Sequence, residues 1–509
     1  MNRITLHTIF TPSYFLRMTK NGRGMGLRRS KRIMSLLLVI LLMVPLGARA
    51  GDLGKGTSGT PGTWYVGAQP SWVDPAKSPI VFVHGYNSSA AIWWDGNDMY
   101  ETALANGYQT AFIDLYPEKD MWQNGAMLAG KLQEIYRHFG NKKLVVVGHS
   151  KGGVDTQTAL VHYGAHQYVS NVITLSSPHH GTQLSDLAHS SSAWWLAALL
   201  GNNNDATRSL MTGNMSYFRS VTDGRAEIQL NRYYTLGGTK WGSFGSALYW
   251  GGLYLSSYGA NDGVVTVASS RLPGGTIVRE SSWNHTTIRE GSHTFSVFKP
   301  YTMAAQPSGA TAFSSSKVTA EPETSQIVRG GKADKAIKDG FVVEDGADSF
   351  QLAFLSDKLL PSLKLKGPDG REYKPVKVTQ DTSGFFKGAW VHQFEIDKPE
   401  SGKWNVTGPA AAYLFIVRID SPLGGELKQK MNVKATYKTE WVHYKQDQNK
   451  KLKEAGKGVK AGKIADGDLK EPGVYNLTTE VTGFDAKGKP FERTIIESIY
   501  VDGNGKIHR

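Results

Sequence analysis

The sequence predicts a doubly wound α/β domain with a mostly parallel sheet, followed by two small all-β sandwich domains. Three observations carry that prediction. Short apolar runs without alternation recur between residues 80 and 175. A helical apolar stripe separates two of them. Beyond about residue 336 the hydrophobic period becomes two.

The runs are Ile80-Val81-Phe82-Val83, Thr110-Ala111-Phe112-Ile113, Leu144-Val145-Val146-Val147 and Val172-Ile173-Thr174-Leu175. Such runs suit parallel strands covered on both faces. Between the second and third, Leu128, Leu132, Ile135 and Phe139 recur at helical spacing. Tyr233–Leu236 and Thr276–Val278 read as later strands. Residues 51–70, rich in Gly, Thr and Pro, read as an extended lead-in.

Residues 1–50 carry nine basic residues and no acid, with an apolar run from Ile33 to Val44 and a small-residue site at Ala48-Arg49-Ala50. The run is short of the ~20 apolar residues that a bilayer span needs. The pattern predicts a signal peptide over 1–50 and a secreted chain, with Met25 offering a later start. The full sequence has 58 basic and 44 acidic side chains. Without residues 1–50 the excess falls to about five, so the charge gives no case for a nucleic-acid partner. There is no cysteine, which excludes disulfides, thiol catalysis and cysteine-held metals.

The domain reading follows from composition. Residues 51–305 form the α/β domain. Residues 306–335, dominated by small and polar side chains, form a linker. Alternating segments such as Trp390–Ile396, Tyr413–Ile419 and Tyr475–Val481 predict β-sandwiches over 336–422 and 423–509. Lysine-rich 445–470 reads as a solvated loop. Nothing in the two β-domains looks catalytic. They are expected to bind a surface or polymer, to dock on the α/β domain, or to act as spacers.

Chemistry concentrates at Gly148-His149-Ser150-Lys151-Gly152. In so glycine-rich a chain, Gly-x-Ser-x-Gly is expected about half a time by chance. Its context is specific. It follows the run Leu144–Val147 and precedes a helical segment, Val154–Leu160. A strand-to-helix turn this sharp strains the serine backbone and projects its hydroxyl from the sheet edge.

Four segments together give a resemblance: Val83-His84-Gly85-Tyr86, the Ser150 pentapeptide, Ser177-Pro178-His179-His180-Gly181-Thr182, and Asn261-Asp262-Gly263-Val264-Val265 with Asn284-His285 after it. Residues 79–295 resemble bacterial secreted lipases of the α/β-hydrolase superfamily. The resemblance implies a serine carboxylester hydrolase, a triacylglycerol lipase or esterase acting through an acyl-enzyme, with Ser150 as nucleophile. The superfamily's chain order of serine, acid, histidine selects Asp262 and His285. His293 is a rival base. Two backbone N–H groups are expected to hold the oxyanion. One belongs to Lys151, the residue after the nucleophile. The resemblance puts the other on Tyr86. The Lys151 side chain is expected to bring positive charge near the site. His84 and His149 are expected to pack around the turn.

A long insertion after the fourth run holds Leu184, Leu187, Trp194, Trp195 and the stretch Ala197-Ala198-Leu199-Leu200. Within it, Trp194, Trp195 and Leu199 suit a lid or an acyl groove facing lipid, and equally a core helix. No cofactor or metal is expected. His179-His180 is weak evidence for a metal site, and the absence of a carboxylate between His285 and Glu290 departs from calcium-binding relatives. A polyester depolymerase would use the same residues, and a non-catalytic surface-binding protein would keep the scaffold alone.

Overall fold

The computed structural model describes residues 59–199, 201, 203–303, 325–423, 434–485 and 487–509. The signal-peptide reading of 1–50 lies outside the described residues. So does most of the segment read as a linker.

The α/β domain is built on seven strands: β1 Trp64–Val66, β2 Ile80–Val83, β3 Thr110–Ile113, β4 Leu144–His149, β5 Val169–Leu175, β6 Arg232–Gly238 and β7 Thr276–Ser281. Their order is β1-β3-β2-β4-β5-β6-β7. Strands β2 to β7 pair in parallel, and β1 joins the edge antiparallel to β3. Strand β1 falls inside the stretch read as an extended lead-in. Its three residues are too few to show a period. The helices that matter below are α1 Met99–Ala105, α2 Met121–His138, α3 Lys151–His162, α4 Gln183–Ala188, α5 Trp194–Leu199, α6 Asp205–Ser209, α7 Thr212–Thr222 and α8 Ala247–Leu255.

Both faces of the sheet are covered, and this is why its strands read as unbroken apolar runs. Val81, Val83, Ile113, Leu144 and Val146 enter one core, against Leu128 and Leu132 of α2 and Leu160 of α3. Ile80, Phe82, Phe112, Val145 and Val147 enter the other, with Trp93, Met99 and Phe295. Each such side chain contributes roughly 1.5–3 kcal/mol on full burial. Strand β2 has β3 on one side and β4 on the other. The chain thus reverses its winding at β2, and the crevice beyond the carboxyl ends of β2 and β4 is where α/β sheets carry their sites.

The first all-β unit is a sandwich. One sheet runs β13-β14-β10-β16-β8, from Lys377–Gln380, Trp390–Asp397, Ser349–Ser356, Ala412–Asp420 and Gln326–Lys332. The other runs β12-β11-β15-β9, from Glu372–Tyr373, Lys364–Lys366, Gly402–Pro409 and Ala336–Val343. Strand β8 therefore lies within the stretch read as linker. Its two glycines and its short length hid it. Phe350, Leu352 and Phe354 of β10 point between the sheets, with Phe415 and Val417 of β16. The alternate residues Ala353, Leu355, Leu414 and Ile416 point the other way, into a core shared with Leu187, Trp250, Leu253 and Tyr254 of the α/β domain.

The second all-β unit is a single antiparallel sheet, β18-β17-β19-β20-β21, from Leu452–Ala461, Lys434–Gln446, Gly473–Phe484, Pro490–Val501 and Ile507–His508. The segment 445–470 read as a solvated loop contains β18 and its hairpin, because solvent-facing lysines mask the alternation. The sheet's missing layer is supplied by its neighbours. Met211 packs with Val442, Tyr444, Val474 and Tyr500. A Cβ on Gly213 would stand 2.7 Å from the backbone N of Ile499, so the first turn of α7 rests directly on β20. The Arg493 guanidinium, fully buried, pairs with Glu344 and ties this sheet to the sandwich. We call residues 325–509 the β-module.

Asp186 of α4 lies at this contact. Its carboxylate accepts the Thr212 N–H at 2.9 Å and the Thr212 hydroxyl at 2.7 Å. Its backbone carbonyl accepts Asn476 Nδ2 of β19 at 2.7 Å. Burial pushes the carboxyl up to about 6 from 3.8. The folded chain therefore binds this proton more tightly than the unfolded chain. The contribution to stability is complete below about pH 3.8, declines up to about pH 6 and is level above it. Asp186→Asn, an uncharged isostere, is expected to gain about 1–3 kcal/mol at neutral pH and nothing near pH 3. Urea unfolding midpoints at the two pH values check this.

Candidate active site

Ser150 sits between β4 and α3 with φ +53° and ψ −131°, the strained conformation expected of this turn. Its N–H donates to the Leu175 carbonyl at 2.9 Å, and its carbonyl accepts Gly153 N–H at 3.1 Å. Two glycines permit the turn by close approach. A Cβ on Gly152 would stand 2.4 Å from the His84 carbonyl oxygen, and one on Gly148 would stand 2.8 Å from Gly153 Cα. The residue itself is nearly buried.

Asp262 and His285 come together at the ends of β6 and β7. His285 Nδ1 lies 2.6 Å from Asp262 Oδ2, and both side chains are fully buried. The other carboxylate oxygen accepts the N–H groups of Val264 at 2.9 Å and Val265 at 2.8 Å. The backbone closes the same unit, with His285 N–H donating to the Asp262 carbonyl at 3.0 Å. Asp262 is therefore clamped from three directions. It has one free direction for the imidazole. His285 Nε2 is buried and makes no hydrogen bond. The rival His293 is far more exposed and pairs at 3.0 Å with Glu290, the residue just before its own helix.

His149 and His84 do more than pack. His149 Nε2–H donates to the His285 carbonyl at 2.9 Å, and the two rings lie 4.7 Å apart. The residue before Ser150 thus holds the backbone of His285. Burial and the nearby His285 push the His149 imidazolium well down, so the ring is neutral. His84 Nε2 accepts the Leu115 N–H at 2.9 Å, which leaves the proton on Nδ1, and Nδ1 donates to the Gly85 carbonyl at 2.8 Å. Fixing that carbonyl fixes the plane of the Gly85–Tyr86 peptide, and so the direction of the Tyr86 N–H. The Tyr86 hydroxyl accepts Asn204 Nδ2 at 3.2 Å, and burial pushes it up to about 12.

Lys151 departs from the sequence expectation. Its ammonium is buried and pairs with Asp155 at 2.6 Å, so it brings no net charge to the site. Asn124 Nδ2 donates to Asp155 at 2.9 Å and to the Tyr116 carbonyl at 3.0 Å. The network anchors the first turn of α3 to the loop after β3. The spacing of Lys151 and Asp155, one helical turn, was the available signal.

The cavity over Ser150 has a volume of about 110 Å³ and mostly apolar walls, among them Leu187, Ala197, Leu210 and Val265. Trp194 is 47% exposed, with Lys457 Nζ 5.9 Å from its ring centre. It is not among the cavity's walls. The side chains of Trp195 and Leu199 lie outside the described residues. Among the described residues, no three His, Asp or Glu side chains gather as a metal site.

The β-module supplies walls that no reading of the α/β segment could give. Its loop 381–388 carries Phe385, whose ring packs edge-on to His285 at 5.0 Å, and Phe386, which packs on Trp250 at 5.3 Å. Asp381 shapes the loop, accepting the N–H groups of Ser383 and Phe386. Asn87 donates to the Gly384 carbonyl at 2.5 Å, and Lys387 pairs with Glu118 at 2.5 Å. Two adjacent phenylalanines inside a Gly- and Ser-bearing turn were the sequence signal for this loop.

Similarity to solved structures agrees with this architecture. The Bacillus licheniformis lipase BlEst2 in its propeptide form is 41% identical over 88% of this chain and all of that one, with a TM-score of 0.80. The chain belongs to the bacterial lipase/esterase family of the α/β-hydrolase superfamily. Its chemistry is that of a carboxylester hydrolase. The mature form of the same lipase is 53% identical over 48% of this chain and all of that one, with a TM-score of 0.47. Residues 126–239 match the PGAP1-like alpha/beta domain. No curated protein matches the sequence.

The buried ion pair yields a stability test. Lys151→Met leaves the Asp155 carboxylate buried without its cation and is expected to cost about 3–5 kcal/mol. Adding Asp155→Leu is expected to recover most of that loss. Urea unfolding of the single and double variants measures both.

Proposed function

We infer that this lipase/esterase relative is a secreted serine hydrolase whose Ser150, His285 and Asp262 form the catalytic triad. The observation that carries the reading is the fully buried Asp262–His285 pair at 2.6 Å, tied through His149 to the Ser150 turn. His285 takes the proton of Ser150 Oγ through Nε2, and Asp262 stabilises the imidazolium that results. Ser150 Oγ bonds to the ester carbonyl carbon. The oxyanion is held by the N–H groups of Tyr86 and Lys151. Collapse breaks the bond to the alcohol, which leaves with the proton from His285. Water then enters by the same route, releasing the acid and restoring Ser150. The apolar cavity favours an acyl chain over a sugar or peptide.

The chain as it stands is a latent form. Ser150 and His285 are covered, and Phe385 lies on the imidazole that must receive the serine proton. The similarity to a lipase in its propeptide form supports reading residues 325–509 as a segment removed before full activity. Release would free the cavity of the walls formed by Leu355, Phe385, Phe386 and Leu414.

A fluorophosphonate probe tests the nucleophile. Chain freed of the β-module is expected to be labelled, and Ser150→Ala to take no label. Equal labelling of Ser150→Ala would remove the claim. Asp262→Asn is expected to lower kcat by about 10⁴ while leaving the fold intact. In the uncut chain, Phe385→Ala is expected to raise turnover of a small soluble ester several-fold. An unchanged rate would show that Phe385 does not restrain the site.

A further inference from the structure

The α/β sheet is flanked by two cores formed entirely by residues before 304. Another apolar cluster is different in kind, because half of it belongs to the β-module. On the α/β side this cluster centres on α8. Residues 241–261 carry no charged side chain. A helix that is apolar all round must be covered on all sides. Here the outer cover is β10, β14 and β16 of the β-module.

The polar handles of this face matter more than its apolar area. Trp250 Nε1 donates to the Ala353 carbonyl at 3.2 Å. The Tyr258 hydroxyl donates to the Ile496 carbonyl at 3.1 Å, and the Tyr249 hydroxyl to Gln351 Oε1 at 3.0 Å. Three aromatic side chains thus spend their donors on acceptors that the β-module presents. When the module leaves, the face keeps aromatic bodies and loses its acceptors. A surface of apolar chains with ester carbonyls at their heads restores both, which is the setting that Trp and Tyr prefer.

On the reading that the β-module is released, we propose that the face of α8 it covers is the surface by which the catalytic domain docks on an ester-bearing lipid layer. Trp250 and Leu187 belong both to this face and to the wall of the cavity over Ser150. Docking there sets the cavity mouth against the substrate. A second copy of the chain on the same face would close that mouth. Residues 59–303 hold 16 basic and 16 acidic side chains, so the attraction is apolar and independent of salt. The β-module then has two tasks. Its loop 381–388 stops the reaction, and its sheet keeps a lipid-seeking face out of water.

The test uses the full chain with a specific protease site placed within residues 304–324, cut and mixed with phosphatidylcholine vesicles containing triolein. The catalytic part is expected to float with the vesicles at least about tenfold more than uncut chain, equally at low and high salt, leaving the β-module in solution. Tyr249→Glu and Leu253→Glu, neither in the cavity wall, are each expected to cut flotation about tenfold. Both should leave turnover of a soluble short-chain ester unchanged, which reports folding. The proposal is overturned if the cut catalytic part hydrolyses the soluble ester but stays in solution, if it pairs with its own copies in place of lipid, if high salt abolishes flotation, or if the two parts stay joined on vesicles. Absence of soluble-ester turnover in a catalytic part that has separated from the β-module would instead sink the triad reading, and flotation would still judge the face.

Discussion

Helix α3 begins so near the end of strand β2 that even a methyl group on Gly152 would meet the His84 carbonyl oxygen at 2.4 Å. The site depends on this approach. It places the loop after β2 beside the turn after β4, although 65 residues of chain and a third strand separate them. The approach forces the positive φ at Ser150, and the strain is held by bonds to Leu175 and Gly153. The buried Lys151–Asp155–Asn124 network fixes α3 from its far side. Without that anchor the helix could relax away from β2, and the loop after β2 would lose its contact with the Ser150 turn.

Three buried histidines then divide the labour by their hydrogen bonds. His84 turns a peptide plane, His149 holds a backbone carbonyl, and His285 keeps its buried Nε2 without a partner. Burial keeps the first two neutral at ordinary pH, so in the proposed mechanism neither competes for the proton that His285 takes. The His285 position is over-determined. Its ring is fixed through Asp262, and its backbone through both Asp262 and His149. Preorganisation of this kind costs nothing at the moment of reaction.

Legibility followed the physical range of each signal. The parallel strands were readable because burial on both faces leaves runs such as Leu144–Val147 with no polar interruption. Ser150 was readable because its turn demands glycine at fixed offsets. Asp262 and His285 were reached only through chain order and resemblance, since they pair across 23 residues and carry no local pattern. Trp64–Val66 and Gln326–Lys332 are strands made by tertiary pairing, and their short or glycine-bearing sequences show no period. The positive charge expected from Lys151 is cancelled by Asp155, a partner that only the helix geometry brings into reach. Phe385 lay furthest from view. It reaches His285 across 100 residues, from a domain in which nothing suggested chemistry.

The alternation in β10 and β16 explains how one sheet can serve two cores. Phe350, Leu352 and Phe354 fill the sandwich, while Ala353 and Leu355 meet the α/β domain. A strand committed to both faces in this way cannot lose one partner without baring a row of apolar side chains. The proposed separation would expose matching rows on both parts, on α8 and on β10 with β16. The β-module can recover by pairing with itself or by being degraded. The catalytic domain must stay folded in order to work, so its bared row needs a new neighbour. The polar tips of Tyr249, Trp250 and Tyr258 restrict which neighbours suffice, since each requires an acceptor where the β-module offered one. A purely apolar partner would leave three donors buried and unpaired, at a cost of about 1–3 kcal/mol each. A surface that combines apolar chains with carbonyl oxygens does not incur that cost, and it is also the chemistry that a carboxylester hydrolase consumes.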